Sequence, residues 1–87
     1  MKRTIELRLE RTEGALVRTL GLIERRGFSV TAIATRNDPN PAMLVLRLEV
    51  TTEDRSFDTL IRQILRLFDV RAARLMELQN DEARAAC

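Results

Sequence analysis

From residue 4 to residue 10 hydrophobic and polar side chains alternate strictly. Ile5, Leu7 and Leu9 fall on one side, and Glu6, Arg8 and Glu10 on the other. That period of two predicts a half-buried strand. Over residues 13–26 the period lengthens. Leu16, Leu20 and Ile23 recur at helical spacing, flanked by Val17, while Arg18, Glu24 and Arg25 lie outside the stripe, so an amphipathic helix is expected. Thr12 suits its N-cap, Glu13 the positive end of its dipole, and Gly27 a left-handed C-cap. Leu22 projects away from the Leu16–Leu20–Ile23 stripe and is expected on the helix surface.

Residues 28–35 are rich in β-branched side chains and read as a second strand. Residues 36–42 contain Asn37-Asp38-Pro39-Asn40-Pro41, a turn that a central strand could not accommodate. Alternation resumes over residues 43–51, with Leu44, Leu46, Leu48 and Val50 in phase against Arg47 and Glu49. Ser56 opens a second helix as N-cap, with Asp58 in its first turn. Phe57, Leu60, Ile61, Ile64, Leu67 and Phe68 make its apolar stripe. Residues 69–78 read as a last strand, weakened by Arg71 and Arg74, and residues 79–87 as a polar tail. Residues 1–78 thus form a single βαββαβ domain. Right-handed crossovers leave an antiparallel four-stranded sheet in the order 4-1-3-2 with both helices on one face. The opposite face carries Glu6, Arg8, Arg47 and Glu49 and is expected to stay wet.

Composition narrows the chemistry. At 87 residues the chain buries only about 60–65% of its unfolded surface, so support from oligomerisation is expected. Its net charge is a modest +2 despite a pI near 9.5, and Lys2 is its one lysine, so basic character gives little support to nucleic acid as a partner. Cys87, the single cysteine, can close no internal bridge, which fits a reducing, cytosolic location. Histidine is absent, which excludes His-based metal sites and His general bases. No apolar run approaches the roughly 20 residues of a membrane span, and the N-terminus lacks the apolar stretch of a signal peptide. The first loop reads Arg11-Thr12-Glu13-Gly14 without a Cys-x-x-Cys pair, so no metal is expected there.

Catalytic chemistry finds no foothold. The chain has 13 carboxylates, none in a pairing that suggests a shifted pKa, and Ser29 and Ser56 have no activating base. The three phenylalanines are assigned to the core rather than to base stacking. Gly21 is expected to permit close helix–sheet packing. What remains is the loop over residues 11–16, where free amides of Gly14, Ala15 and Leu16 at a helix N-terminus could take an amino acid's carboxylate. An ordinary strand-to-helix turn accounts for the same residues.

The stretch from Glu13 to Val30 resembles the signature of ACT domains in the small, regulatory subunit of acetohydroxyacid (acetolactate) synthase. The matching positions are Gly14, Leu16, Arg18, Gly21, Leu22, Ile23, Arg26, Gly27, Phe28, Ser29 and Val30. A second match runs from Ser56 to Val70 and ends in the Leu-x-Asp-Val pattern of Leu67-Phe68-Asp69-Val70. The resemblance implies a ferredoxin-like α+β fold of the short, single-domain type. It also implies a homodimer joined through strand two and a non-catalytic role activating a large catalytic subunit. That subunit would carry thiamine diphosphate, Mg²⁺ and FAD on the valine, leucine and isoleucine pathway, this chain holding no cofactor itself. An effector such as valine would lie between Arg11, Thr12, Glu13, Gly14, Ala15 and Leu16 of one chain and Ser29 and Val30 of its mate. Valine-binding members commonly have Asn at the positions of Arg11 and Ser29, and often Pro at Glu13. Arg11 cannot accept a bond from an ammonium group, and Glu13 repels a carboxylate, so weak or absent valine feedback is expected. Leu22 is expected to help dock the large subunit. A free-standing ACT amino-acid sensor acting on another enzyme or regulator is the competing expectation.

Overall fold

The computed structural model describes residues 1–76. The end of the expected fourth strand and the tail over residues 79–87 lie outside the described residues. The chain runs β1 (Lys2–Glu10), α1 (Ala15–Arg25), β2 (Ser29–Asn37), β3 (Met43–Thr51), α2 (Phe57–Ile64) and β4 (Val70–Leu75). The strands form one sheet in the order β2-β3-β1-β4, every neighbouring pair antiparallel. This is the ferredoxin-like topology that the alternation and crossover rules predict.

The core fills the space between sheet and helices. Ile5, Leu7 and Leu9 of β1 and Leu46, Leu48 and Val50 of β3 meet Leu22, Ile23, Phe28, Phe57, Leu60, Ile64 and Val70. Each fully buried aliphatic side chain stabilises such a core by roughly 1.5–3 kcal/mol. Ser56 caps α2 as expected, its hydroxyl accepting from the Thr59 amide at 3.2 Å. Gly27 closes α1 at φ 91°, with the Gly27 amide donating to the Glu24 carbonyl at 3.2 Å and the Phe28 amide to the Ile23 carbonyl at 3.4 Å. That reciprocal pair satisfies the last carbonyls of the helix.

Helix α1 is turned about its axis relative to the sequence expectation. Its buried residues are Ala15, Thr19, Leu22 and Ile23, whereas Leu16 is 37% and Val17 75% exposed. Leu22 is only 8% exposed and belongs to the core, so its assignment as an exposed docking residue is corrected. The cause is Thr19. Its hydroxyl donates back to the Ala15 carbonyl at 2.9 Å, so this polar residue enters the core with its hydrogen bond satisfied. Small Ala15 seats the first turn against the sheet, and Leu16 is left to the flank.

Three further expectations are corrected. Thr12 is not the N-cap: Gly14 holds that position at φ 80°, with no side chain capping the helix. Phe68 is 74% exposed rather than core, because the chain after Ile64 tightens. The amides of Arg66 and Leu67 there bond three residues back, which breaks the phase of the stripe. Gly21 does not face the sheet; a Cβ there would meet the Arg25 guanidinium at 3.1 Å. On the opposite sheet face, Met43 and Val45 are buried despite the polar surroundings. A bulge between Val30 and Ala32 shifts β2 by one residue, so Val30 (opposite Val50) and Ile33 (opposite Leu48) share the core face.

Because Leu22 is packed in the core, Leu22→Glu is expected to cost at least about 3 kcal/mol and to unfold much of the protein, as a charge would enter the interior unpaired. Urea denaturation followed by circular dichroism checks this. A stable Leu22→Glu protein would contradict the burial.

Candidate functional site

The loop between β1 and α1 is built from the strand outward. The Glu10 amide donates to the Asp69 carbonyl at 2.8 Å, and the Arg11 amide to the Ala42 carbonyl at 2.9 Å. The chain then folds back, with the Thr12 amide on the Glu10 carbonyl at 2.9 Å and the Ala15 amide on the Thr12 carbonyl at 3.1 Å. Gly14 takes the left-handed conformation that starts the helix. Its φ of 80° favours glycine, and a Cβ there would also stand 2.8 Å from an Arg18 guanidinium nitrogen, which would have to shift.

Asp69 sits beneath this loop, 1% exposed. Its Oδ1 accepts from the Thr12 hydroxyl at 2.7 Å, and its Oδ2 from Arg18 Nε and Nη2 at 2.9 and 2.5 Å. The Thr12 hydroxyl and then the Arg18 guanidinium hold this carboxyl below the usual carboxylate range, outweighing the opposing effect of burial. The guanidinium carbon of Arg18 lies 5.5 Å from the centre of the Phe68 ring, which shields the pair.

Sequence reasoning singled out residues 11–16, and the structure assigns them different tasks. Arg11 is a strut: its Nε donates to the Met43 carbonyl at 3.1 Å and its Nη2 to Asn37 Oδ1 at 2.7 Å. Thr12 serves Asp69. Among the described residues, the Glu13 side chain makes no ion pair and the amides of Glu13, Gly14, Leu16 and Val17 have no acceptor. Of the three amides expected to be free, those of Gly14 and Leu16 are, and that of Ala15 is used. Ala15 is buried, and Leu16 lines the flank of the helix. Four outward amides at a helix start can hold a carboxylate or another small anion.

Ser29 and Val30 lie at the other end of the molecule. Ser29 is level with Thr51 and Lys2, whereas Arg11 follows Glu10, which is level with Met43. Strands of this length separate the two groups by about 25 Å. A single chain does not bring them together. The residue of β2 that does reach the loop is Asn37, which sequence reasoning assigned to a turn. Arg18 and Asp69 were likewise given no role; the signal was a lone acid opening β4 in the same motif pair that contains Arg18.

Beside the loop lies a cavity of about 730 Å³, bordered by Arg8, Arg11, Thr12, Asn40, Met43 and Arg71. Its cations are engaged: Arg8 clasps Asp38 at 2.8 and 3.0 Å, and Arg71 pairs with Glu10. Arg8, with help from the Asn40 amide, brings the Asp38 carboxyl down to about 2. No group of three or more potential metal-ligating side chains occurs among the described residues, and no described helix is long and apolar enough to cross a membrane.

Lowered folded-state pKa values at Asp69 and Asp38 contribute stability above the unfolded value of 3.8, and this is lost as pH falls through the folded values. Asp69→Asn is therefore expected to be less stable than the parent at pH 7 and to lose less additional stability between pH 4 and 2. Urea unfolding midpoints measured across that range test it; parallel curves would contradict the role of Asp69.

Comparison with known proteins follows this geometry. The family model described as ACT domain matches residues 11–73. The acetolactate synthase small subunit of Buchnera aphidicola is 27% identical over 70 residues, covering 80% of this chain and 44% of that protein. The isozyme 3 small subunit of Escherichia coli is 24% identical over 70 residues, covering 80% and 43%. The chain thus spans less than half the length of these relatives. Among solved structures, the acetolactate synthase small subunit of Thermotoga maritima superposes with a TM-score of 0.81 at 17% identity, covering 93% of this chain and 50% of that one. The ACT domain from GTP pyrophosphokinase of Chlorobium tepidum gives 0.72 at 13% identity, covering 87% and 97%. With most of its length matched by the family model and the same fold in these structures, the chain belongs to the ACT domain family.

Proposed function

We propose that this chain is a non-catalytic regulatory subunit of an acetolactate synthase, acting as a homodimer joined through β2. The observation that carries this reading is the uncovered β2 edge. Among the described residues β2 has one side unpaired, and Ile33 on its core face is 51% exposed. Arg18 reaches from α1 toward Asp69 before β4, and on the opposite flank of the helix Leu16 is 37% exposed while Leu20 is partly buried against the core. An open strand edge beside apolar side chains favours pairing with another copy.

Pairing two β2 strands antiparallel about a two-fold axis extends the sheet from four strands to eight. It also sets Ser29 of one chain opposite Asn37 of the other, hence beside the mate's Arg11 and the free amides of its loop. The two halves of the expected site, residues 11–16 with Ser29 and Val30, then meet only across the dimer. The names of the sequence relatives support the choice of enzyme. Thiamine diphosphate, Mg²⁺ and FAD belong, on this reading, to the large subunit. Arg11 is occupied by Asn37 and Met43, and Glu13 brings an uncompensated negative charge to the loop. Both disfavour a zwitterionic amino acid, so valine binds weakly or not at all.

A second reading is a free-standing ACT amino-acid sensor for another enzyme or regulator; the same fold in the ACT domain from a GTP pyrophosphokinase is consistent with it. A large-subunit gene beside this one favours the first reading, and its absence the second.

Three outcomes are expected. Ile33→Glu is predicted to sediment as a folded monomer and to lose activation, since a charge on the β2 edge opposes pairing; a dimeric variant would contradict the arrangement. Acetolactate formation by the co-expressed large subunit should rise several-fold when this chain is added. Titration calorimetry with valine should show no binding tighter than about 1 mM, equivalent to about −4 kcal/mol. A micromolar valine site would contradict the reading of Arg11 and Glu13.

A further inference from the structure

We infer that the helix-free face of the sheet is the surface on which this chain docks its protein partner, and that the partner presents carboxylates there. The inference rests on the regulatory-subunit reading and names the contact surface that reading leaves open.

The charge on this face is unevenly distributed. At its edges each cation has its own anion: Lys2 pairs with Glu49 at 3.8 Å, Arg8 with Asp38, and Arg71 with Glu10. At the centre one carboxylate serves three guanidinium groups. Glu6 accepts from Arg74 at 2.8 and 3.2 Å, from Arg47 at 3.1 Å and from Arg36 at 3.5 Å. Glu6 lies between Arg47 on β3 and Arg74 on β4 in the strand register. The middle of the face therefore carries two uncompensated positive charges.

Glu6 does more than offset charge. Its side chain is only 13% exposed, while those of Arg36, Arg47 and Arg74 are 61%, 45% and 67% exposed. The buried acid fixes the inner nitrogens and leaves the outer ones facing solvent, so three planar donors stand oriented before a partner arrives. Arg is suited to this task, since its fork matches a carboxylate in two bonds. Between the arginines the floor is small and apolar. Ala72 and Val45 border a groove of about 370 Å³ that also touches Glu6, Arg8, Arg36, Asp38 and Arg74.

Alternative occupants fit less well. A second copy laid face to face would oppose one positive centre with another. A phosphodiester backbone needs a continuous track of free cations, whereas those at the edges of this face are already paired with Glu49, Asp38 and Glu10. The size suits a protein interface. Four strands about 4.8 Å apart and about 25 Å long give on the order of 450 Å² per chain. Two chains side by side offer about 900 Å², near the roughly 800 Å² per partner of a standard interface.

The test uses the full chain and the large subunit of the same synthase, with affinity measured at 50 and 300 mM salt. The parent is expected to bind at least tenfold more weakly at the higher salt. Arg36→Glu/Arg74→Glu should bind at least tenfold more weakly than the parent at 50 mM, with circular dichroism spectrum and dimer mass unchanged. Arg36→Gln/Arg74→Gln should lie between them and serves in its place if the charge-reversed protein fails to fold. Parent-like binding by the folded variant overturns the docking face while leaving the subunit reading intact. A parent that binds no large subunit overturns both. Tighter binding to a 20-base-pair DNA duplex than to the large subunit overturns the choice of a protein partner.

Discussion

A buried carboxylate organises the functional end of this molecule. Asp69 leaves α2's exit turn and is received by Thr12 from one side and Arg18 from the other. It thereby ties together three segments far apart in sequence: the end of β1, the first turn of α1 and the start of β4. A carboxylate removed from water is tolerated only when its oxygens are met by donors, and here both are. The same contact explains features that look unrelated. Arg18, held against Asp69, passes close over Gly14, and Asp69 is anchored inward while its neighbour Phe68 stays exposed.

The sheet supplies the second constraint. Two helices cover β1 and β3 but reach only part of β2, so one edge keeps both its backbone groups and its apolar side chains available. A domain of this size has little apolar area to spare. On the proposed reading, association through β2 would cover Ile33 and Leu16 and protect a strand edge that otherwise invites misassembly.

Some of this was legible in the residues alone. β1 alternates cleanly because one face is dry and the other charged, and β3 does so from Leu46 on, a pattern that survives in the register from Lys2–Thr51 to Leu7–Leu46. The topology followed, since crossover handedness leaves few options. Helix α1 was harder. Ranking by hydrophobicity favours Leu16 over Thr19, but a threonine that bonds its own helix is equivalent to a small apolar residue inside, and a leucine at a subunit flank need not be buried within one chain. The stripe read from sequence therefore mixed core positions such as Ile23 with exposed ones such as Leu16. The loop over residues 11–16 was found at the right place, but its hydrogen bonds were not. Arg11 and Thr12 turned out to be bound to groups 26 and 57 residues away, which no local pattern encodes.

That separation bears on how such a module could exert control. Ser29 and the loop amides lie at opposite ends of one chain's sheet, so a ligand needing both gains its contacts only when two chains are paired. Ligand binding and dimerisation are then linked: each strengthens the other by the same factor. A site of this kind can report on metabolite level through assembly alone, without a hinge or a buried switch. On the proposed reading, Arg11 held by Asn37 and Glu13 left unpaired weaken the ligand's side of that linkage, so pairing would rest on the β2 edge rather than on a bound effector.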